Sequence, residues 1–291
     1  MRPNQRTLVG GTNQTTYAGV AKSDSISLPL DFALQRIFVN IDGTLDSVAD
    51  NTVLVEDAGQ AILSEVRLDL TGDEGIETVF KLSGSDIYIK NFFDYSTASR
   101  RVVPTADGAV AIDLVIDFRL AKNNPDDASV SIPLYALSSA DLIFTYIAMA
   151  TGYGTNITTL TTTGKITLYE FIPETKEERE AFTKVPILKQ TVKELTLSNA
   201  TGDEERDRDI TVGNLIRRVI LIAKANAGTR SDIEINTYTL ETSVLTFMKK
   251  LFWYASKSQD KIDYKLPVLD GDWHVKGATI LDFARSPVDE A

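Results

Sequence analysis

"VAIDLVIDFRL", residues 110–120, sets Val110, Ile112, Leu114, Ile116, Phe118 and Leu120 on one face of an extended chain and Asp113, Asp117 and Arg119 on the other. Successive side chains of a strand point to opposite faces, so this alternation predicts a half-buried antiparallel strand with a wet side. The same pattern recurs in "EVRLDL" (65–70), where Val66, Leu68 and Leu70 oppose Glu65, Arg67 and Asp69. Further strands are expected at "SISLPL" (25–30), "SVSIPLYAL" (129–137), "GKITLYEF" (164–171), "KELTLS" (193–198), "DIEINTYTL" (232–240) and "ATILDFA" (278–284). The Thr-rich run "NITTLTTTGKITL" (156–168) favours strand because β-branched side chains fit the pleated surface. Polar breakers such as Asp42-Gly43, Thr71-Gly72-Asp73, Gly152-Tyr153-Gly154 and Asp270-Gly271-Asp272 separate these runs. Many short strands divided by turn signals predict an all-β sandwich or barrel with little helix.

A second observation extends the reading. "LQRIFVNIDG" (34–43) and "IRRVILIAKA" (216–225) each place an arginine, Arg36 or Arg218, ahead of an apolar run. Downstream, "YIKNFFDYS" (88–96) and "FMKKLFWYA" (247–255) align at Lys90/Lys249, Phe93/Phe252 and Tyr95/Tyr254. In the later segment Val244, Phe247, Met248, Leu251 and Tyr254 recur at helical spacing, which predicts a short amphipathic helix there. Both halves therefore read as strand, strand, short helix, strand. The 291 residues suit two domains. The expected boundaries are a flexible N-terminal arm over 1–23, a first barrel domain over 24–171, a charged connector over 172–190, and a second, smaller β-domain over 191–291.

Composition removes several classes of function. Absence of cysteine excludes disulfides, zinc–thiolate sites and thiol catalysis, and with only three methionines it is compatible with a hot environment. A net charge of −11 argues against nucleic acid as the main partner. No apolar run approaches the roughly 20 residues of a membrane span, and the polar start lacks the apolar core of a signal peptide. The arm is the exception to the acidic balance. It carries Arg2, Arg6 and Lys22 and no acid, so it reads either as an assembly or membrane-facing segment or as a solubilising tail.

Catalytic constellations are missing. His274 is the single histidine, and no G-x-S-x-G elbow supplies a nucleophile for it. The glycines at 10–11 and 151–156 lack phosphate-cradle spacing. The loop "TGDEERDRD" (201–209) offers Asp203, Glu205, Asp207 and Asp209 but no EF-hand glycine, and Arg206 and Arg208 interleave with them, so it reads as solvated. The sequons at Asn13, Asn156 and Asn199 matter only in a glycosylating host. No enzyme activity, cofactor or metal is expected. Outer-face charges (Arg67, Asp69, Asp113, Asp117, Arg119) read as solvated or as polar rims of subunit contacts.

An all-β chain of two barrel-like halves, each with a short aromatic segment after its early strands, resembles the vertical jelly-roll major capsid proteins of icosahedral viruses with an internal membrane. Residues 217–257 are similar to the second barrel of the marine corticovirus phage capsid protein. Size and cysteine-free composition are more similar to the larger major capsid protein of membrane-containing Thermus phages. The resemblance implies one main viral jelly-roll barrel plus a smaller β-domain, assembly with other capsid subunits including a smaller second capsid protein, possible contact with the viral membrane, and residence in the virion of a thermophilic bacteriophage. The alternative function is a carbohydrate-binding or adhesin-like β-sandwich module with Tyr153, Trp253 and Trp273 as an exposed aromatic platform. A glycosidase-like or cupin-like enzyme is disfavoured, since cupins need several histidines.

Overall fold

In chain order the N-terminal part of the molecule lays down β1 (Arg2–Thr7), β2 (Gln14–Tyr17), β3 (Lys22–Ser27), β4 (Ala33–Ser47), β5 (Val53–Leu54), β6 (Leu63–Gly72), β7 (Gly75–Leu82) and helix α1 (Gly84–Tyr95). It continues with β8 (Arg101–Val102), β9 (Gly108–Asp117), β10 (Ile132–Pro133), β11 (Ser139–Tyr146), α2 (Met149–Gly152), β12 (Gly154–Thr155), β13 (Ile157–Ile172), α3 (Lys176–Thr183) and β14 (Gln190–Thr191). The computed structural model describes residues 2–8, 14–96, 99–119, 130–184, 187–194, 216, 218–225, 228–241, 246–264 and 275–283. Two compact units divide the chain, Met1–Thr191 and Val192–Ala291.

The first unit holds a seven-stranded sheet in the order β1-β13-β4-β9-β8, with β10 on β4 and β2 on β13, and a five-stranded sheet in the order β14-β7-β6-β11-β3. The chain switches sheets repeatedly: β3 to β4, β4 to β6, β7 to β9, β9 to β11, β11 to β13. That crossing joins two β layers around one core. Ile37, Val39 and Ile41 of β4, Ile112, Leu114 and Ile116 of β9, and Ile166 and Leu168 of β13 share one buried cluster with Val66, Leu68 and Leu70 of β6 and Leu142 and Phe144 of β11. Each such side chain contributes about 1.5–3 kcal/mol on leaving water. The 15-residue β4 and 16-residue β13 form the spine, paired from Ser47/Ile157 to Ala33/Phe171. Gly43 is required there: a Cβ would lie 2.1 Å from the Thr161 carbonyl oxygen.

Several expectations need correction. The arm over 1–23 is not free of the barrel. Arg2–Thr7 form β1, antiparallel to β13 from Arg2/Ile172 to Thr7/Thr167, because Arg6 carries a buried partner described below. The connector over 172–190 belongs to the first unit. Thr175 caps α3, its hydroxyl accepting from the Glu178 N–H at 3.2 Å, and Phe182 anchors the helix by stacking on Phe171 at 6.5 Å. After it, β14 adds in parallel to β7. The strand expected over 129–137 pairs only at Ile132–Pro133, where proline ends the supply of ladder donors.

In the second unit the elements are β15 (Arg218–Ile222), β16 (Thr237–Glu241), β17 (Thr246–Phe252), α4 (Trp253–Tyr264) and β18 (Ala278–Asp282). β15 pairs with β18, and β16 pairs with β17, both antiparallel. Of the helix expected over Val244–Tyr254, Thr246–Phe252 is strand β17 and the residues before Thr246 lie outside the described ones: β16 offers β17 a ladder, with Tyr238 opposite Leu251. Over so short an apolar run the helical and strand periods cannot be separated. Helix α4 starts instead at the fully buried Trp253. The common order expected of the two halves breaks at the aligned segments: "YIKNFFDYS" is mostly helix α1 while "FMKKLF" is strand, so the aligned aromatics are not equivalent. The strand expected over 232–240 begins only at Thr237, since the Asp232 carboxylate is held by the Trp253 indole N–H (3.0 Å), the Gly277 N–H (2.9 Å) and Lys257. Of the strand expected over 193–198, the part from Leu195 lies outside the described residues.

Candidate assembly surface

The side of the seven-stranded sheet turned away from its core carries polar and aromatic side chains from β13, β4 and β9. Alternation along β4 puts Ile37, Val39 and Ile41 into the core and leaves Arg36, Phe38, Asn40 and Asp42 on the other side. Register places Tyr169 of β13 and Asp117 of β9 on either side of Arg36, and Asp113 beside Asn40.

At the β1 end, on the core-facing side in line with Leu8 and Leu168, Arg6 grips Glu170, Nε and Nη2 donating to its carboxylate at 2.9–3.0 Å, while Nη1 reaches Asp31 at 2.9 Å. The Glu170 side chain is 0% exposed. Burial pushes its carboxyl above the usual range, and the Arg6 and Asn4 donors pull only part of the way back.

At the β9 end, Asp117 and Arg119 were expected on a wet face. They do face away from the core, but they are buried. Helix α1 covers them: its Tyr95 hydroxyl donates to Asp117 Oδ2 at 2.6 Å, and Arg119 Nη2 donates to the same oxygen at 2.7 Å. Burial and the adjoining Asp117 charge raise the Tyr95 hydroxyl far above its ordinary value, so it stays a donor. The helix forms here because Ser83 and Asp86 make a reciprocal capping box and Ile87, Phe92 and Phe93 are buried beneath it. It also seals an edge. β8 pairs with β9 only at Ile112 and Ala111, and farther along the fully buried Asn91 carboxamide, with its NH2 oriented toward the Val115 carbonyl, matches both backbone groups of Val115 at 2.8 Å. Gln190 closes the next position, donating to the Asp117 carbonyl at 2.9 Å.

On the outer face, beside the Asp117–Arg119 pair, lies a cavity of about 310 Å³ lined by Arg36, Phe38, Asn40, Tyr95, Arg100 and Asp113, among others. Arg100 bridges Asp113 (3.1 Å) and Asp42 (2.8 Å), and Asn40 donates to Asp113 at 2.9 Å. Arg36 stacks on Tyr169, 4.1 Å from the ring centroid, and lies 5.5 Å from that of Phe38. Burial, then the neighbouring Arg119 charge, lowers its pKa.

Of the three cations singled out in the arm, Arg2 is exposed on β1, Arg6 is committed to Glu170 and Asp31, and Lys22 on β3 is paired with Asp24 at 2.8 Å. Arg2 and Arg6 belong to the seven-stranded sheet and Lys22 to the five-stranded one. The aromatic platform fails: Tyr153 and Trp253 are fully buried, and Trp273 lies outside the described residues, as do His274 and the loop 201–209. Among the described residues no cluster of three or more His, Asp or Glu side chains has the arrangement of a metal site. Asn91 and Gln190 were not singled out in the sequence, and Tyr95 only as an aligned aromatic of the repeat; the Ser83-x-x-Asp86 spacing was the available signal for the helix that carries Asn91 and Tyr95.

No protein-family model matches the chain, and no curated protein matches it in sequence. Among solved structures, the major capsid protein of Sulfolobus turreted icosahedral virus superposes with a TM-score of 0.70 at 13% identity, over 97% of this chain and 85% of that one. A chain from the atomic structure of the same virus gives 0.65 at 13% identity, over 97% and 80%. The major capsid protein P2 of bacteriophage PM2 gives 0.44 at 10% identity, over 97% and 83%, a score too low to argue from. The fold is thus the all-β jelly roll of viral capsid proteins.

Proposed function

We propose that the chain is a structural subunit, a major capsid protein, of an icosahedral virion. The observation that supports this most is the fold shared with the turreted-virus capsid protein over 97% of the chain. The physics of the first unit fits the role. Two sheets around one core make a stiff body, the sheet edge at β9 is sealed against stray pairing, and the outer sheet face is rich in charge pairs. In finer detail, we read the shell as enclosing a membrane vesicle, with exposed Arg2 available to it, and as including a second, smaller capsid protein; this part rests on the sequence resemblance. Mass spectrometry and cryo-electron microscopy of purified particles test the role: this chain should be among the most abundant proteins and trace the shell. Its absence from the particles refutes the reading. Size-exclusion of the chain with and without the smaller virion protein tests the partner, larger species being expected only for the mixture.

A further inference from the structure

The chain writes the same arrangement twice and completes it once. Arg218 on β15 stands opposite Asp282 on β18 and bonds it, Nε at 2.9 Å and Nη2 at 2.7 Å. Arg36 on β4 likewise stands opposite Asp117 on β9, but the Asp117 carboxylate accepts from Arg119 and Tyr95 instead. Among the described residues Arg36 has no hydrogen bond or ion pair, and its Nε is buried without an acceptor. Leaving such a donor unmet is costly, so a native protein retains it where something else supplies the acceptor. The acids nearest the cavity do not: Asp113 and Asp42 are held by Arg100. A planar guanidinium between the rings of Tyr169 and Phe38, fronting a cavity of about 310 Å³, is shaped for a carboxylate.

Resting on the proposed capsid role, we infer that the Arg36 cavity is a subunit contact that receives an Asp or Glu side chain from a second copy of this chain. Charge complementarity selects that occupant. The chain holds 41 acids against 30 Lys and Arg, so a neighbouring copy offers carboxylates in excess of cations. Among the described residues the contact is incomplete, and the second copy supplies the missing group.

Arg36→Met keeps the apolar stem and removes the charge; Arg36→Lys keeps the charge and removes the fork. Isolated Arg36→Met should melt within about 2 °C of wild type or higher, because it loses an unmet buried donor. Its assembly midpoint, read by light scattering and sedimentation, should rise at least about tenfold, with Arg36→Lys between the two. In the particle map a neighbour's carboxylate oxygen should lie about 3 Å from the guanidinium. Unchanged assembly of Arg36→Met overturns the inference while leaving the capsid role intact. A large fall in the melting temperature of the isolated variant overturns it too, by making Arg36 a folding residue. An Arg36-dependent thermal shift with free glutamate, assembly unchanged, overturns it in favour of a small-ligand site. A wild-type chain absent from particles removes the capsid role and this contact together.

Discussion

Replacing Arg6 by alanine should loosen the N-terminal strand, and the structure sets the size of the effect. The Glu170 carboxylate is 0% exposed and receives three bonds of 2.9–3.0 Å from Arg6, with Asn4 Nδ2 at 3.5 Å as its remaining donor. Breaking a buried pair by removing one partner costs about 3–5 kcal/mol. Two features reduce that figure. The Arg6 side chain is 27% exposed, so water can enter where it stood, and Glu170 already has a raised pKa and can take up a proton. A loss of about 2–3 kcal/mol remains, equivalent to a fall of roughly 4–12 °C in Tm for a body of this size. Differential scanning calorimetry at pH 7 measures it, and hydrogen exchange on residues 3–7 locates it. The sign with pH follows. A carboxyl whose folded pKa lies above its unfolded value holds a proton that the unfolded chain releases, so its contribution to stability falls as pH rises. The deficit of Arg6→Ala should therefore shrink between pH 7 and pH 5. Adding Glu170→Gln should recover at least half of it. A cost below about 0.5 kcal/mol with residues 3–7 still protected, or no recovery in the double variant, refutes the anchoring role assigned to this pair.

Three further outcomes are expected. Asn91→Leu strips Val115 of both side-chain partners and should cost about 2–4 kcal/mol in urea unfolding; near-neutrality would show that the β9 edge is not sealed by Asn91. Gly43→Ala forces a Cβ to 2.1 Å from the Thr161 carbonyl and should cost more than about 3 kcal/mol or prevent folding, whereas Gly75→Ala, with open space at its Cβ but φ of 109°, should cost about 1 kcal/mol. Asp260, buried beneath Thr279 and the Ile280 N–H, has its pKa raised to about 6 from 3.8, mainly by desolvation. Its contribution is full below the unfolded value and declines as pH rises through 6, a total of about 3 kcal/mol, of which about 1.4 kcal/mol falls between pH 5 and 7.5. Asp260→Asn should flatten that slope in chemical denaturation; an unchanged slope would assign the pH dependence elsewhere.

Period-two patterning was enough to place β4, β6, β9 and β13, because each has one face in a core and the other outside it. It also sorted Asp117 and Arg119 correctly to the side away from the core. It could not show that they are buried, since what covers them, Tyr95, is more than 20 positions away and is brought there by a helix. Composition misjudged residues 1–23 for a similar reason. A basic, glycine-containing start reads as solvated until its partner Glu170 is known, and that partner is 164 residues away. The aromatic segments failed differently. "YIKNFFDYS" and "FMKKLFWYA" carry similar side chains, but the first follows a capping box and the second faces a β16 ladder, so the backbone, not the side-chain pattern, decides their state. Arg36 was visible as half of a repeat. That its Asp is taken by another arginine is a property of the pairing register.

The two edges of the seven-stranded sheet bear on why a tiling subunit would be built this way. Open strand edges recruit other strands without regard to partner, which in a protein made in many copies leads to aggregates in place of a closed shell. At the β9 side the answer is a strand of two residues, then Asn91 and Gln190 standing in for the missing ladder. At the other side the edge strand β1 is short, contains Pro3, which lacks an N–H, and is fastened by Arg6 so that it stays on its own β13. With main-chain pairing disfavoured at both edges, association of a subunit in the proposed shell would fall to side chains on the outer sheet face. Side-chain contacts have defined geometry and direction, which backbone ladders between identical edges do not. The contact proposed for Arg36 would be of that kind, satisfied only when a neighbour arrives in one orientation.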